Sequence, residues 1–403
     1  MKVLYITAAA PYDTVGHAGG QTLNYYAKKM SEQIENEISL VAYCTPNDLS
    51  KIDLSKYGIN FIPVIKKDGL TNFIGNVFSI WSKINPLHKF GNIMTRNASQ
   101  LLLHKLQEIA SHGYNPDVII MEWTQIVLQV QYIKKIFPNS AIVASEHDVT
   151  FLGIMRQAGL EKNRIIKTYK LIRAYNMKKR ELAALNKCDL IFTHNNKDDD
   201  LLKNEGIRID KRKTLVPFYH QSVIPRKRCN NDIIFYGNMK RKENYLAAFW
   251  FIDNVMPLLE HLPIRFVVVG GGPTDELKSK ECKRIHITGF VNEIDPYFAY
   301  SLCFVAPLQL GAGIKVKVIE AMYTDIPVLT NDIGIEGIPA QATKDYFHCN
   351  TPEEYVNVIE KLLENQSGYN ITTGKNLINK EFSFEKSFQN YYRIICATVK
   401  EYK

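Results

Sequence analysis

Residues 310–322 read LGAGIKVKVIEAM, a two-glycine loop running into a helix that carries two lysines and a glutamate among apolar neighbours. The apolar run LCFVAPL (302–308) stands directly before it and reads as a buried strand. A strand that enters a helix through glycines lets backbone N–H groups approach an anion, and the helix dipole favours negative charge there. Lys315 and Lys317 add positive charge in the first turns, and Glu320 follows where a carboxylate can accept hydrogen bonds from a ribose diol. Gly311 and Gly313 supply the loop. This layout suits a nucleoside diphosphate. An ordinary strand–loop–helix connection with solvated lysines has the same spacing, so the stretch alone leaves both readings open.

Outward from this point, short β-branched runs alternate with helical patterns along the whole chain. In the first half the expected strands are KVLYITAA, ISLVAYC, INFIPV, DVIIMEW, SAIVASEH and DLIFTHN; in the second they are DIIFYGN, RFVVVGG, RIHITGF, LCFVAPL and IPVLTN. Helices are expected between them, among others over 22–35, 97–111, 167–185 and 245–259. Strands buried on both faces and separated by helices mean parallel sheets, so the class is α/β. Two such series meet near KTLVPFYHQSVIPRKRCNND, whose prolines and basic residues make a linker. The expected domains are 1–216 and 217–382, both Rossmann-like, with 383–403 an amphipathic terminal helix. Ligands of such sheets bind beyond the carboxyl ends of the strands, so facing domains should hold theirs in a cleft.

A chain of 403 residues, 46% hydrophobic and 11% aromatic, has material for two cores. Its formal charge of +9 is spread out, and no nucleic-acid module is visible. Seven cysteines without a C-x-x-C pair argue for a reducing compartment and against a thiolate zinc site. The opening apolar run is too short for a signal segment, and no stretch is long enough to span a membrane. The expectation is a cytoplasmic protein.

The segment GAGIKVKVIEAMYTDIPVLTNDIGIEGI resembles the donor-site signature of the retaining glycosyltransferases of family 4, which have the GT-B fold. GGQTLNYYAKKM is similar to the family's glycine-rich loop and first helix. FYGNMKRKENYLAAFWFIDNVMPLL, FVVVGGGP, ITGFVNEIDPYFAYSLCFVAPL and TPEEYVNVIEKLLEN then follow in the family's order. The resemblance implies two Rossmann-like domains facing across a cleft, with the terminal helix 383–403 returning to pack on the first. It also implies transfer of a sugar from a nucleotide-sugar to an acceptor hydroxyl, with retention and without a metal or other cofactor. The expected partners are the donor and a saccharide or lipid-linked saccharide acceptor.

By that resemblance Glu320 holds the ribose, while Gly311, Gly313 and Lys317 lie along the diphosphate and sugar, with Lys315 and Gly237 on the same side; the neighbouring Lys240, Arg241 and Lys242 either reach the diphosphate or form a solvated basic turn. Positive charge there stabilises the departing diphosphate. The position of an earlier family glutamate is Ala312 here, and an arginine and a lysine of the family are replaced by Asn238 and Glu243. These departures keep open an idle nucleotide-sugar-binding protein, and the fold is shared with sugar-nucleotide epimerases. His147, in SEHDV, matches a histidine that faces the reaction centre in related enzymes, against the alternative of a structural strand-end residue. Glu146, Asp148 and EWTQ (122–125) end the same strands and are expected on the acceptor side. Gly19 and Gly20 let the first loop approach the donor or acceptor. NKDDDLLKN reads as helix capping rather than a metal site. The aromatic stretch 73–92 and the basic stretch 156–180 offer a surface to an anionic membrane, or else form ordinary solvated helices.

Overall fold

Runs of Val, Ile and Leu that are buried on both faces must satisfy their backbone groups by pairing, and here every pairing of the sheets is parallel. The computed structural model describes residues 1–13, 18–65, 85–87, 93–215, 224–228, 230–311, 313–364 and 373–403. The chain divides into two units, Met1–Pro217 with Phe384–Lys403, and Phe218–Ser383. Both are parallel-sheet Rossmann-like units.

In unit 1, β1 (Lys2–Thr7) leads through α1 (Ala18–Ser31) to β2 (Glu37–Cys44) and β3 (Asn60–Ile65). Next come β4 (Val118–Glu122), β5 (Ala141–Glu146), α2 (Thr150–Gly159), α3 (Arg164–Leu185), β6 (Leu190–Thr193) and β7 (Arg212–Thr214). The sheet order is β3-β2-β1-β4-β5-β6-β7, so the direction of winding reverses between β1 and β4. Unit 2 contains β8 (Asp232–Tyr236), α4 (Lys242–Asn254), β9 (Arg265–Val269), β10 (Ile285–Gly289), β11 (Cys303–Ala306), α5 (Val316–Tyr323), β12 (Val328–Thr330) and β13 (Phe347–His348). Its order β10-β9-β8-β11-β12-β13 reverses between β8 and β11. In open sheets of this kind, the carboxyl ends beside the reversal are where ligands bind.

All eleven expected strands form. Two more do not show in the hydrophobic pattern. β7 falls in part of the stretch read as a linker; its sequence RKT is polar, and Arg212 is buried because its guanidinium donates to the carbonyls of Ile207 and Asp199 at 3.0 and 2.7 Å. β13 is only two residues long. Helix α1 begins at Ala18 rather than Thr22, so Gly19 and Gly20 lie inside its first turn and not in a loop. Two glycines are poor helix formers, which hides the start. Of the stretch 73–92, only 85–87 lie within the described residues.

The terminal helix α6 (Phe384–Tyr402) belongs to unit 1, where Tyr391 is buried with its hydroxyl 3.0 Å from that of Tyr5. The Tyr391 ring stacks on Tyr26 at 4.5 Å, and Phe388 and Ile395 complete the same core face. Tyr391→Ala should therefore destabilise unit 1 by about 3–5 kcal/mol, the usual cost of deleting a buried aromatic ring. Denaturant unfolding followed on unit 1 measures it.

Candidate active site: two strand-end clusters

In unit 2 the glycine-rich loop after β11 and the turn after β8 stand beside the reversal of the sheet. Gly311 and Gly313 both take positive φ, 125° and 70°. Lys315 is the N-cap of α5, and its ammonium turns back onto the Gly313 carbonyl, 3.6 Å from the buried Glu336 carboxylate. Its charge is therefore directed at the loop itself. Lys317, the second residue of the helix, points the other way, across the sheet end. Its ammonium donates to Asn244 Oδ1 and lies 4.9 Å from the centre of the Phe235 ring. The bare Gly237 leaves both side chains room: a Cβ there would stand 2.7 Å from Lys317 Nζ and 2.7 Å from Asn244 Nδ2, so these groups would have to move. Asn244 is fixed in turn by donating to the Asn238 carbonyl at 2.7 Å.

Crowding by protein and the like charge of Arg241 lower the half-buried Lys317 amine to about 7. Glu320 is buried on the next turn, and its carboxylate raises the Tyr236 phenol well above its ordinary range. Lys240 lays its stem against Gly272, and Lys242 is exposed at the start of α4. Glu243 forms an ion pair with Arg241. Lys317, Gly237, Gly311, Gly313 and Glu320 thus gather at one sheet end, with Lys240 at its rim. Ala312 lies outside the described residues.

A bound diphosphate would favour the charged form of Lys317. Above the free-protein value of about 7, binding must then take up a proton, and affinity must fall as pH rises through it. Calorimetry at pH about 8 in buffers of different ionisation enthalpy should show uptake approaching one proton. Lys317→Met should abolish it.

In unit 1 the corresponding place is the end of β1, β4 and β5. Parallel pairing sets Glu122 of β4 opposite Ser145 of β5, so His147, just past β5, comes beside Glu122. His147 Nε2 donates to the Glu122 carboxylate at 2.8 Å, and Glu122 is buried. Trp123 stacks on the imidazole, with ring centres 4.8 Å apart. It does so with φ 71°, a strained conformation for a bulky residue and one that clusters at functional sites. His194 stacks at 4.6 Å, accepting from Ser145 Oγ through Nε2 and donating through Nδ1 to the Leu215 carbonyl. Burial and the neighbouring His147 hold His194 well below the ordinary histidine range, so it is neutral.

With Nε2 committed to Glu122, His147 has only Nδ1 left for a ligand. A Cβ at Gly19 would stand 3.2 Å from that nitrogen and 3.1 Å from the Trp123 ring, so the bare glycine keeps one atom's width open. Gly20 is buried in the same turn. Beneath the cluster, Thr124 Oγ1 lies 2.8 Å from Glu146 and 3.4 Å from Glu181. Glu181 also accepts from the backbone N–H groups of Thr150 and Phe151 at 2.9 and 3.0 Å, closing the amino end of α2. Burial pushes Glu181 up to about 8, and burial with the charge of Glu181 pushes Glu146 well above the carboxylate range. Two buried carboxyls this close retain a proton between them.

Reading the sequence missed His194, Asn244 and Glu181, and it placed Glu122 and Trp123 at the strand end without their partner His147. The adjacent strand ends EW and EH are the one available signal, because neighbouring parallel strands bring such residues side by side. NKDDD opens a helix capped by Asn195, which accepts from the Asp198 N–H at 2.8 Å. No group of three metal-ligating side chains occurs among the described residues.

A family model described as "Glycosyl transferases group 1" matches residues 230–365, most of unit 2. An uncharacterized 44.6 kDa protein in the cps region of Klebsiella pneumoniae is 20% identical over 344 residues, 80% of this chain and 82% of that protein. Among solved structures, the Anabaena protein HepE in complex with UDP superposes with a TM-score of 0.68 at 13% identity, covering 98% of this chain and all (100%) of that one. Sucrose-phosphate synthase from Thermosynechococcus elongatus superposes at 0.72, also at 13% identity, covering 98% and 100%. The fold is thus that of GT-B glycosyltransferases, and the family match in unit 2 supports glycosyltransferase activity.

Proposed function

We propose that this chain transfers a sugar from a nucleotide-sugar to an acceptor hydroxyl, with retention at the anomeric carbon, in the assembly of a polysaccharide or other glycoconjugate. The observation that carries the reading is the arrangement at the end of β8 and β11. One lysine crosses to the Gly237 turn, a buried carboxylate sits a turn further on, and two positive-φ glycines open the helix. Such a site offers Glu320 to a ribose and Lys317, with the loop amides, to a diphosphate. As the glycosidic bond breaks, negative charge grows on the leaving diphosphate, and Lys317 with the amino end of α5 stabilises it in place of a metal. The HepE complexes with UDP and UDP-glucose make a uridine nucleotide the first donor to test.

In the same reading His147 hydrogen-bonds the donor sugar through Nδ1, and Glu122 holds the ring so that this nitrogen is presented. Acceptors are saccharides or lipid-linked saccharides. The test is transfer from UDP-glucose to candidate acceptors with a chelator present, the product linkage being read by NMR. Retained anomeric configuration and chelator resistance support the reading. Inverted product or a strict metal requirement removes those two parts of it.

A further inference from the structure

Helix α3 begins with an unusual surface. Asn163 caps it by accepting from the N–H groups of Ile165 and Ile166 at 2.9 and 3.2 Å. From Arg164 to Ile172 no side chain is buried, although the helix goes on to bury Ala174, Asn176 and Met177. Several of the exposed side chains are nevertheless large and apolar. Ile165 is 81% exposed and Tyr175 74%, with Ile166, Leu171 and Ile172 each at 45%. Ile165, Ile172 and Tyr175 recur at helical spacing along one face. Leu160, 51% exposed at the end of α2, extends the patch. Large apolar side chains gathered in water mark an interaction surface.

The charge pattern chooses the partner. Residues 164–180, RIIKTYKLIRAYNMKKR, hold seven basic side chains and no acidic one. Lys170 is engaged by Glu161 at 2.5 Å, and Lys178 by Glu205 at 2.6 Å. Arg164 and Lys167 are exposed beside the apolar face. A second copy docked symmetrically would set this basic face against itself, which is repulsive. Nucleic acid would leave the aliphatic side chains without an apolar partner. An anionic lipid surface satisfies both features, taking aliphatic groups below the headgroups and lysine or arginine at their level.

We propose that the amino-terminal half of α3 is a docking surface for an anionic membrane. The surface is independent of the transfer chemistry proposed above, and no helix among the described residues is long and apolar enough to cross a bilayer.

The full chain is sedimented with vesicles of phosphatidylcholine mixed with phosphatidylglycerol, and with vesicles of phosphatidylcholine alone. Binding is expected to the mixed vesicles only, and to weaken with salt. Arg164→Glu with Lys167→Glu should lower the partition coefficient at least about tenfold, since each basic group near the surface contributes several-fold. Ile165→Ser with Ile172→Ser should lower it comparably. All four positions are exposed, so melting temperatures should be unchanged; Tyr175→Ser provides a second apolar variant if either double variant fails to fold. Absence of binding to mixed vesicles overturns the proposal, as does binding that ignores both sets of substitutions. Self-association by sedimentation velocity that disappears in the Ile165→Ser, Ile172→Ser variant also overturns it, in favour of a second copy.

Discussion

Replacing His147 by alanine is expected to lower transfer by roughly a hundredfold or more while nucleotide affinity stays near normal. The reason is where its hydrogen-bonding capacity goes. Nε2 is held by the buried Glu122 carboxylate, Trp123 and His194 fix the ring by stacking, and Nδ1 meets the space left by Gly19. A ring held by two stacked neighbours and at one nitrogen is preorganised to meet a sugar hydroxyl, and such an interaction strengthens as positive charge develops on the sugar. An interaction made mainly in the transition state is read in kcat with little change in KM. The nucleotide, by contrast, is assigned to unit 2. Calorimetry for the nucleotide and a transfer assay form the paired measurement. Activity within a few-fold of wild type would make His147 a structural residue, and simultaneous loss of nucleotide binding would place it in the wrong part of the site.

The second large effect is expected at Glu320. Its alanine variant should fold normally, because a polar residue at the sheet end contributes little to the apolar core. It should nevertheless lose nucleotide-dependent stabilisation, which for a ligand at 100 times its Kd amounts to about 2.7 kcal/mol. The variant should also let the Tyr236 phenol titrate at lower pH, since the Glu320 carboxylate is the leading cause of its upward shift. Ultraviolet titration of tyrosine reads that directly, without any ligand. Unchanged nucleotide affinity together with a lowered phenol would show that the carboxylate is where the structure has it and does not hold the ribose.

The parallel strands were legible because burial on both faces writes near-continuous apolar runs, and the donor-side motif was legible because Gly311, Gly313, Lys317 and Glu320 fall within one short stretch, 311–320. What could not be read depends on register and on side-chain direction. Lys315 and Lys317 look equivalent in LGAGIKVKVIEAM, yet one is turned onto the Gly313 carbonyl and the other crosses to Gly237. The contact of Glu122 with His147 joins residues from two strands, and only the pairing of β4 with β5 brings them together. Glu181 comes from the far part of a basic helix whose sequence carries no mark of the carboxyl it meets. The start of α1 is hidden because glycines at its first turn weaken local propensity, while the packing of Gly19 against Trp123 and His147 leaves little room for a Cβ there. β7 is held by arginine hydrogen bonds rather than by apolar burial, so a hydrophobic pattern passes over it.

The central claim is that the Lys317–Glu320 end of unit 2 holds the nucleotide of a nucleotide-sugar. Its most direct test is thermal unfolding of the wild-type chain with UDP, GDP, ADP and CMP and their sugars, each at saturating concentration. One nucleotide and its sugar are expected to stabilise unit 2 by about 2.7 kcal/mol at 100 times the Kd, with the other bases giving markedly less. Absence of stabilisation by every nucleotide and nucleotide-sugar in a well-folded preparation would contradict the claim.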